Sequence, residues 1–331
     1  MKLPTIVKVI CFTLVMTTSN ILEAQTLKRK SVAILIFDGV QIIDYTGPYE
    51  VFGLAGYTVF TVSEKTDPII TSMNMKVIPT YSLETSPQAD ILVIPGGNIP
   101  HDISPNHHFV LWIKKQEQGA GNILSVCNGT FALGATGLLE NKHVTTNAGM
   151  IDHLSMYISN ITPVYDKRFV QDGKIISAGG LSAGIDAALY IVSMLDTEGR
   201  ARQVANTMEY NWDPEGKYVR TKLVDWQLSK VLDFNPPLRG KTLIYAGDET
   251  RWTASYEVTR QESLEQFAGQ LESMAMARGW KKLDETKTPG KISSRWKTID
   301  YNKREWELNA EFSKLENNNQ YSALFKLEAK N

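Results

Sequence analysis

From Ser31 onward the hydrophobic and polar positions follow a repeating order: an unbroken apolar run, a glycine-containing turn, then a stretch with helical spacing. The apolar runs fall at residues 32–37, 91–94 and 122–126. Runs without in-out alternation predict strands of a parallel sheet covered on both faces. Each ends in turn chemistry, at Asp38-Gly39, Pro95-Gly96-Gly97 and Cys127-Asn128-Gly129. Helices are predicted over residues 44–54, 106–118, 182–195 and 199–209. Strand alternating with helix predicts a doubly wound α/β sheet, whose sites lie at the carboxyl ends of strands, so the three glycine-marked turns should share one edge.

The pattern then changes. A β-ribbon is expected over residues 162–177, turning at Gln171-Asp172-Gly173, and residues 211–240 read as an irregular connector ending in Pro236-Pro237. Past a boundary near residue 240, Thr259 and Glu262 have capping-box spacing, and Leu264, Phe267, Ala268, Leu271 and Met274 form an apolar stripe before Gly279. Trp306, Leu308, Ala310 and Phe312 alternate with polar residues, as do Tyr321, Ala323, Phe325 and Leu327 across a turn at residues 317–320. Residues 241–331 are therefore expected to form a small α+β module whose apolar faces are core, and they carry no site motif.

The first 24 residues depart from both patterns. Lys2 and Lys8 frame a charged start, residues 6–16 are almost wholly apolar, and Leu22-Glu23-Ala24 ends in a small residue. An apolar region this short falls below the roughly 20 residues a bilayer span takes, so a cleaved export signal over residues 1–24 is expected, with a periplasmic or secreted product and no stable membrane insertion. An uncleaved anchor or a buried first helix is the alternative. Lys+Arg 35 against Asp+Glu 36 leaves no basic excess, which excludes nucleic acid as an implied partner. Signal removal discards Cys11 and leaves Cys127 as the sole cysteine, so no intramolecular disulfide can form. An unpaired thiol in an oxidising compartment calls for deep burial or a job.

Cys127 sits between an apolar strand and a helix start, with Gly129 two residues on, which is the nucleophile-elbow arrangement with sulfur in place of oxygen. A thiol at a helix N-terminus is expected to have a lowered pKa, and the Asn128 amide is placed to stabilise an oxyanion. The bland alternative is a small buried hydrophobe.

Taken together, Phe37-Asp38-Gly39-Val40-Gln41-Ile42-Ile43-Asp44-Tyr45-Thr46-Gly47-Pro48, Ile94-Pro95-Gly96-Gly97, Ser125-Val126-Cys127-Asn128-Gly129 and Ala178-Gly179-Gly180-Leu181-Ser182-Ala183-Gly184-Ile185-Asp186 resemble the ThiJ/PfpI superfamily. The branch most resembled is that of isonitrile hydratases and the sensor-like domains of AraC-type regulators. The resemblance covers residues 31–215 and not 241–331, with residues 216–240 as connector. It implies a flavodoxin-like sandwich of the class I glutamine amidotransferase type, often a homodimer, acting on a small molecule. It also implies that Asp44 contacts the sulfur as acid and base, that Gly97 joins Asn128 as oxyanion donor, and that Asp186 supports the elbow from behind. Asp44 could instead cap its own helix, Gly97 could mark a plain turn, and Asp186 could be a first-turn acid.

Two positions depart from the family pattern. Asn128 stands where threonine is common, and Asn147 stands where many members carry histidine after a Thr-Thr pair. Asparagine donates hydrogen bonds but cannot act as a base, so a Cys-His dyad is not expected. His143 and His153 lie near in sequence, whereas His101, His107 and His108 lack metal-ligand spacing; neither metal nor cofactor is expected. Asn160-Ile161-Thr162 matches a glycosylation sequon. The leading expectation is an exported cysteine-dependent hydratase or hydrolase, set against a ligand-binding or redox-sensing protein and, last, a regulator.

Overall fold

The computed structural model describes residues 29–165, 167–214, 238, 240–247, 250–300, 303–316 and 319–330. The expected export signal and residues 215–237 of the expected connector lie outside them.

The first unit runs β1 (Ser31–Leu35), α1 (Ile42–Leu54), β2 (Thr58–Ser63), β3 (Ile69–Ile70), β4 (Lys76–Val77), β5 (Tyr81–Ser82), β6 (Ile91–Ile94), α2 (His108–Glu117), β7 (Asn122–Val126) and α3 (Gly129–Gly134). It continues through β8 (His143–Val144), α4 (Leu154–Tyr157), β9 (Thr162–Pro163), β10 (Phe169–Asp172), β11 (Ile175–Ala178), α5 (Ser182–Leu195) and α6 (Glu198–Thr207). Seven of these strands form one sheet in the order β10-β11-β7-β6-β1-β2-β5. Every pairing is parallel except that of β10 with β11, the narrower form of the expected ribbon.

Burial explains why these runs read as continuous. All of β6, β7 and β11 and four residues of β1 are buried, so both faces of the central strands are largely apolar, and the buried Ser125 and Ser177 are hydrogen-bonded. Each fully buried aliphatic side chain there is worth about 1.5–3 kcal/mol against exposure. Helices α1 and α5 pack together, closely at Gly47, where a Cβ would come within 2.8 Å of Ile185. Parallel strands all point the same way, so β1, β6, β7 and β11 deliver their following turns to one edge.

The second unit is built differently. β12 (Gly240–Gly247), β13 (Arg251–Thr259), β14 (Lys281–Thr288), β15 (Lys291–Ile299), β16 (Glu305–Lys314) and β17 (Gln320–Ala329) form an antiparallel sheet, with α7 (Leu264–Ala277) between β13 and β14 in the chain. Along β16 and β17 every second residue is buried, as the alternation predicts. Large residues meet small ones across the ladder, Ala310 opposite Phe325 and Phe312 opposite Ala323. Phe267 and Leu271 of α7 complete this core, which forms a hydrophobic cluster separate from that of the first unit.

The expected helix start at Thr259 and Glu262 is corrected. Thr259 is the last residue of β13, still paired with Gln320, and the Glu262 carboxylate is held by Arg260. The capping box is instead made by Ser263 and Gln266. A strand-end threonine has its backbone committed to the ladder, so only the next hydroxyl is free to cap.

Candidate active site

The strand β7 ends at Val126, and the chain reverses at Cys127 with φ +56°, a left-handed conformation that a non-glycine residue rarely holds without support. The support is visible. The Cys127 N–H donates to Ala178 O (3.0 Å), while Thr146 Oγ1 (2.6 Å) and Thr130 Oγ1 (3.2 Å) donate to the Cys127 carbonyl. Gly180 lies against the thiol so closely that a Cβ there would sit 3.1 Å from Sγ.

Asp44 is wholly buried on α1. It does not cap its own helix. Oδ1 accepts from the Leu181 N–H (2.7 Å) and Oδ2 from the Gly96 N–H (3.1 Å), and the carboxylate is hydrogen-bonded to the Cys127 thiol. One side chain thus ties α1 to the turns after β6 and β11 and to the sulfur. Desolvation outweighs these three bonds and raises the Asp44 pKa to about 6.

The thiol behaves opposite to expectation. Burial and the neighbouring Asp44 charge push Cys127 up to about 12, against the Asn128 N–H and the Asn147 side chain, which both favour the thiolate. The pull of the helix end is outweighed first by burial of the thiol and then by the carboxylate beside it. At neutral pH the pair holds one proton, and the thiolate becomes available when Asp44 accepts it.

The glycine turn also differs from expectation. The Gly97 N–H is bonded to Asn128 Oδ1 (2.8 Å), and Asn128 Nδ2 returns to Gly97 O (2.8 Å), so this amide is occupied and does not face the sulfur. The Asn128 side chain clamps the β6 turn, and only its main-chain N–H points to the thiol.

Asp186 stands in the middle of α5, beyond the first turn, and is buried. Its partners are Arg168 and the Tyr210 hydroxyl (3.0 Å), so it anchors an arginine instead of the elbow. Arg168 also donates to Ser182 Oγ (3.1 Å) and lines a cavity of about 660 Å³ that has Cys127 in its wall. Gln41, Ser72, Asn98, Asn147 and Leu181 share that wall.

Three participants escape the sequence reading: Arg168, Leu181 and the contact of Asn147 Nδ2 with Sγ at 3.3 Å. The departure at Asn147 was a signal for the last; nothing local marks the other two. Leu181 holds φ +50° and ψ −121°. His143 is bonded to Asp172 on β10, and His153 stacks on His101 away from the cavity wall.

Residues 30–194 match the DJ-1/PfpI family. The chain is 34% identical over 180 residues to isonitrile hydratase of Pseudomonas putida, spanning 54% of this chain and 78% of that protein. It is 29% identical over 191 residues to protein DJ-1alpha of Drosophila melanogaster, spanning 56% of this chain and 86% of that one. Among solved structures, a ThiJ/PfpI family protein from Pseudomonas syringae aligns with TM-score 0.52 at 26% identity, covering 60% of this chain and 81% of that chain. DJ-1beta of Drosophila melanogaster shares the fold, with TM-score 0.50 at 23% identity, covering 56% of this chain and 100% of that chain.

Proposed function

The chain belongs to the DJ-1/PfpI family, and on that premise we propose that it is a cysteine-dependent hydratase that adds water to the terminal carbon of an isonitrile. The observation that carries this reading is the buried, hydrogen-bonded pair of Asp44 and Cys127 at the wall of a cavity open to solvent.

The chemistry follows from the pair. Asp44 takes the thiol proton, and the thiolate forms a C–S bond to the isonitrile carbon, the electrophilic end of the molecule. Asp44 returns the proton to that carbon, which gives a thioimidate. Water then adds to the same carbon with its proton passing to Asp44. Asp44 passes that proton to the nitrogen; as the adduct's hydroxyl becomes the carbonyl the C–S bond breaks, and the hydroxyl proton passes through Asp44 to the sulfur, which releases an N-substituted formamide and restores the thiol. Isonitrile plus water equals formamide, so no oxidant or cofactor enters the balance. A redox-sensing role calls for a thiolate at rest, and a thiol pushed up to about 12 speaks against it.

The export signal expected over residues 1–24 places this activity, in our proposal, in the periplasm or outside the cell; fractionation of cells expressing the full chain tests that location. For the chemistry, chromatography of formamide released from an aryl isonitrile is the measurement. Wild type is expected to turn over, and Cys127→Ala to lose at least about 1,000-fold in kcat, as expected when the nucleophile itself is removed. Undiminished formamide release by Cys127→Ala sinks the reading.

A further inference from the structure

We propose that Asn147 is a catalytic donor whose carboxamide N–H group bonds the Cys127 sulfur and holds it as thiolate for attack, leaving Asp44, among the described residues, the only side chain at the sulfur able to carry a proton. This deepens the hydratase reading and rests on it for its substrate, although its first test does not.

The placement of Asn147 is built rather than incidental. The two preceding residues are buried and tied to the elbow: Thr146 Oγ1 donates to Cys127 O (2.6 Å), the Thr145 N–H donates to Ser177 Oγ on β11 (2.9 Å), and Thr145 O accepts from Thr130 Oγ1 (3.2 Å). Asn147 O then accepts from the Met150 N–H (2.9 Å), which turns the chain back. These ties leave the side chain at the sulfur, with Nδ2 at 3.3 Å from Sγ. The chemistry agrees with that orientation of the amide. The thiol proton is already directed to Asp44, so a carboxamide oxygen in the same place would meet only sulfur lone pairs, whereas the NH₂ group makes a bond.

Among the described residues, the charged groups around the sulfur are few. Asp44 approaches from α1. Arg168 lines the cavity from the segment before β10, with its charge matched by Asp186 from α5, and Tyr210 completes that cluster. His143 and His153 line other surfaces. A neutral donor opposite Asp44 therefore favours the tautomer with the proton on Asp44 and the charge on sulfur, and it adds no ionisation of its own. The same N–H is positioned to follow the sulfur's charge as it rises and falls through the cycle.

The test reads the thiolate directly. Alkylation of Cys127 by iodoacetamide, followed by mass spectrometry from about pH 4 to about pH 10, is expected to rise once, as the first of the pair's two protons leaves near pH 6, and then to level off while the remaining proton stays shared. In Asn147→Leu the level should fall by about 10-fold or more while the midpoint stays in place, because a hydrogen bond to a charged atom is lost but no titrating group is. Asn147→His keeps an N–H donor and should recover the level to within about threefold. Asn147→Ala, which adds no bulk, should fall as the leucine variant does, and circular dichroism identifies any variant that has not folded. Alkylation of the leucine and alanine variants at the wild-type level overturns the proposal. If the alkylation pattern holds but wild type forms no formamide from isonitriles, the donor stands and the substrate reading falls.

Discussion

The α/β unit and the antiparallel unit put their buried charge to different uses. In the first, a carboxylate lies wholly buried under a thiol, and two non-glycine residues beside it, Cys127 and Leu181, hold left-handed backbone angles. In the second, the inward faces of β16 and β17 are apolar, most ion pairs are exposed, as Arg295 with Asp284 and Lys291 with Glu311 are, and the buried charges of Arg260 and Asp300 are held by Glu262 and the Trp306 ring N–H. Its left-handed non-glycine residues, Lys303 and Asn319, sit next to turns rather than at a cavity. In the first unit a wholly buried carboxylate and two strained residues meet at one cavity; in the second the buried charges are tied into the packing and the sheet keeps a regular alternation, as suits a part whose work is to be stable.

This contrast can be broken or sharpened by substitution. The largest effect on stability is expected in the second unit: Trp306→Ala removes a fully buried ring and should cost about 3–5 kcal/mol. Chemical denaturation followed by circular dichroism measures it. If the two units are as distinct as their cores, iodoacetamide labelling of Cys127 in native buffer should not change.

A smaller effect, and one tied to pH, is expected at Asp44. Its folded pKa of about 6 lies above the ordinary 3.8, so the folded protein holds this proton more tightly than the unfolded chain does. The resulting stabilisation is complete below about pH 4 and is lost as pH rises through 6, a change of about 3 kcal/mol at 1.36 kcal/mol per unit. Asp44→Asn cannot ionise. The stability difference between wild type and this variant should therefore move against wild type by about 3 kcal/mol between pH 4 and pH 7, measured by urea denaturation at a series of pH values. A constant difference across that window would show that Asp44 ionises as freely folded as unfolded.

The smallest effect is expected at the cap of α7. Ser263→Ala removes the side-chain acceptor for the Gln266 N–H (3.3 Å) and should cost about 1 kcal/mol, with no effect on Cys127 labelling. Thr259→Ala, the other capping candidate, should leave the helix end intact, because Thr259 belongs to β13.

Much of this arrangement was legible in the sequence for a physical reason. Strands buried on both faces must be continuously apolar, so residues 91–94 and 122–126 announced β6 and β7, and helix α5 was read to its ends. The elbow was legible because Cys127 and Gly129 are local to each other. What local pattern cannot carry is contact between distant segments. Arg168 reaches the cavity only because β10 runs antiparallel along β11, and its meeting with Asp186 and Tyr210 depends on three separate elements. The direction of the thiol's shift was lost in the same way: the helix end is next to Cys127 in sequence, but the burial that outweighs it, and the Asp44 charge that adds to that, are set by segments far along the chain. Gly97 announced a turn, yet the partner that occupies its amide, Asn128, became visible only in three dimensions.

Leu181 gives the shared proton a mechanical side. Its unfavourable backbone angles carry a cost of about 1–3 kcal/mol, and its N–H is latched to Asp44 Oδ1, while its side chain forms part of the cavity wall. A neutral carboxyl accepts a hydrogen bond less strongly than a carboxylate. Whenever Asp44 takes the proton from sulfur, the latch on this sprung residue slackens; when it gives the proton back, the latch tightens. One hydrogen bond thus joins the group that exchanges the proton to a residue of the cavity wall.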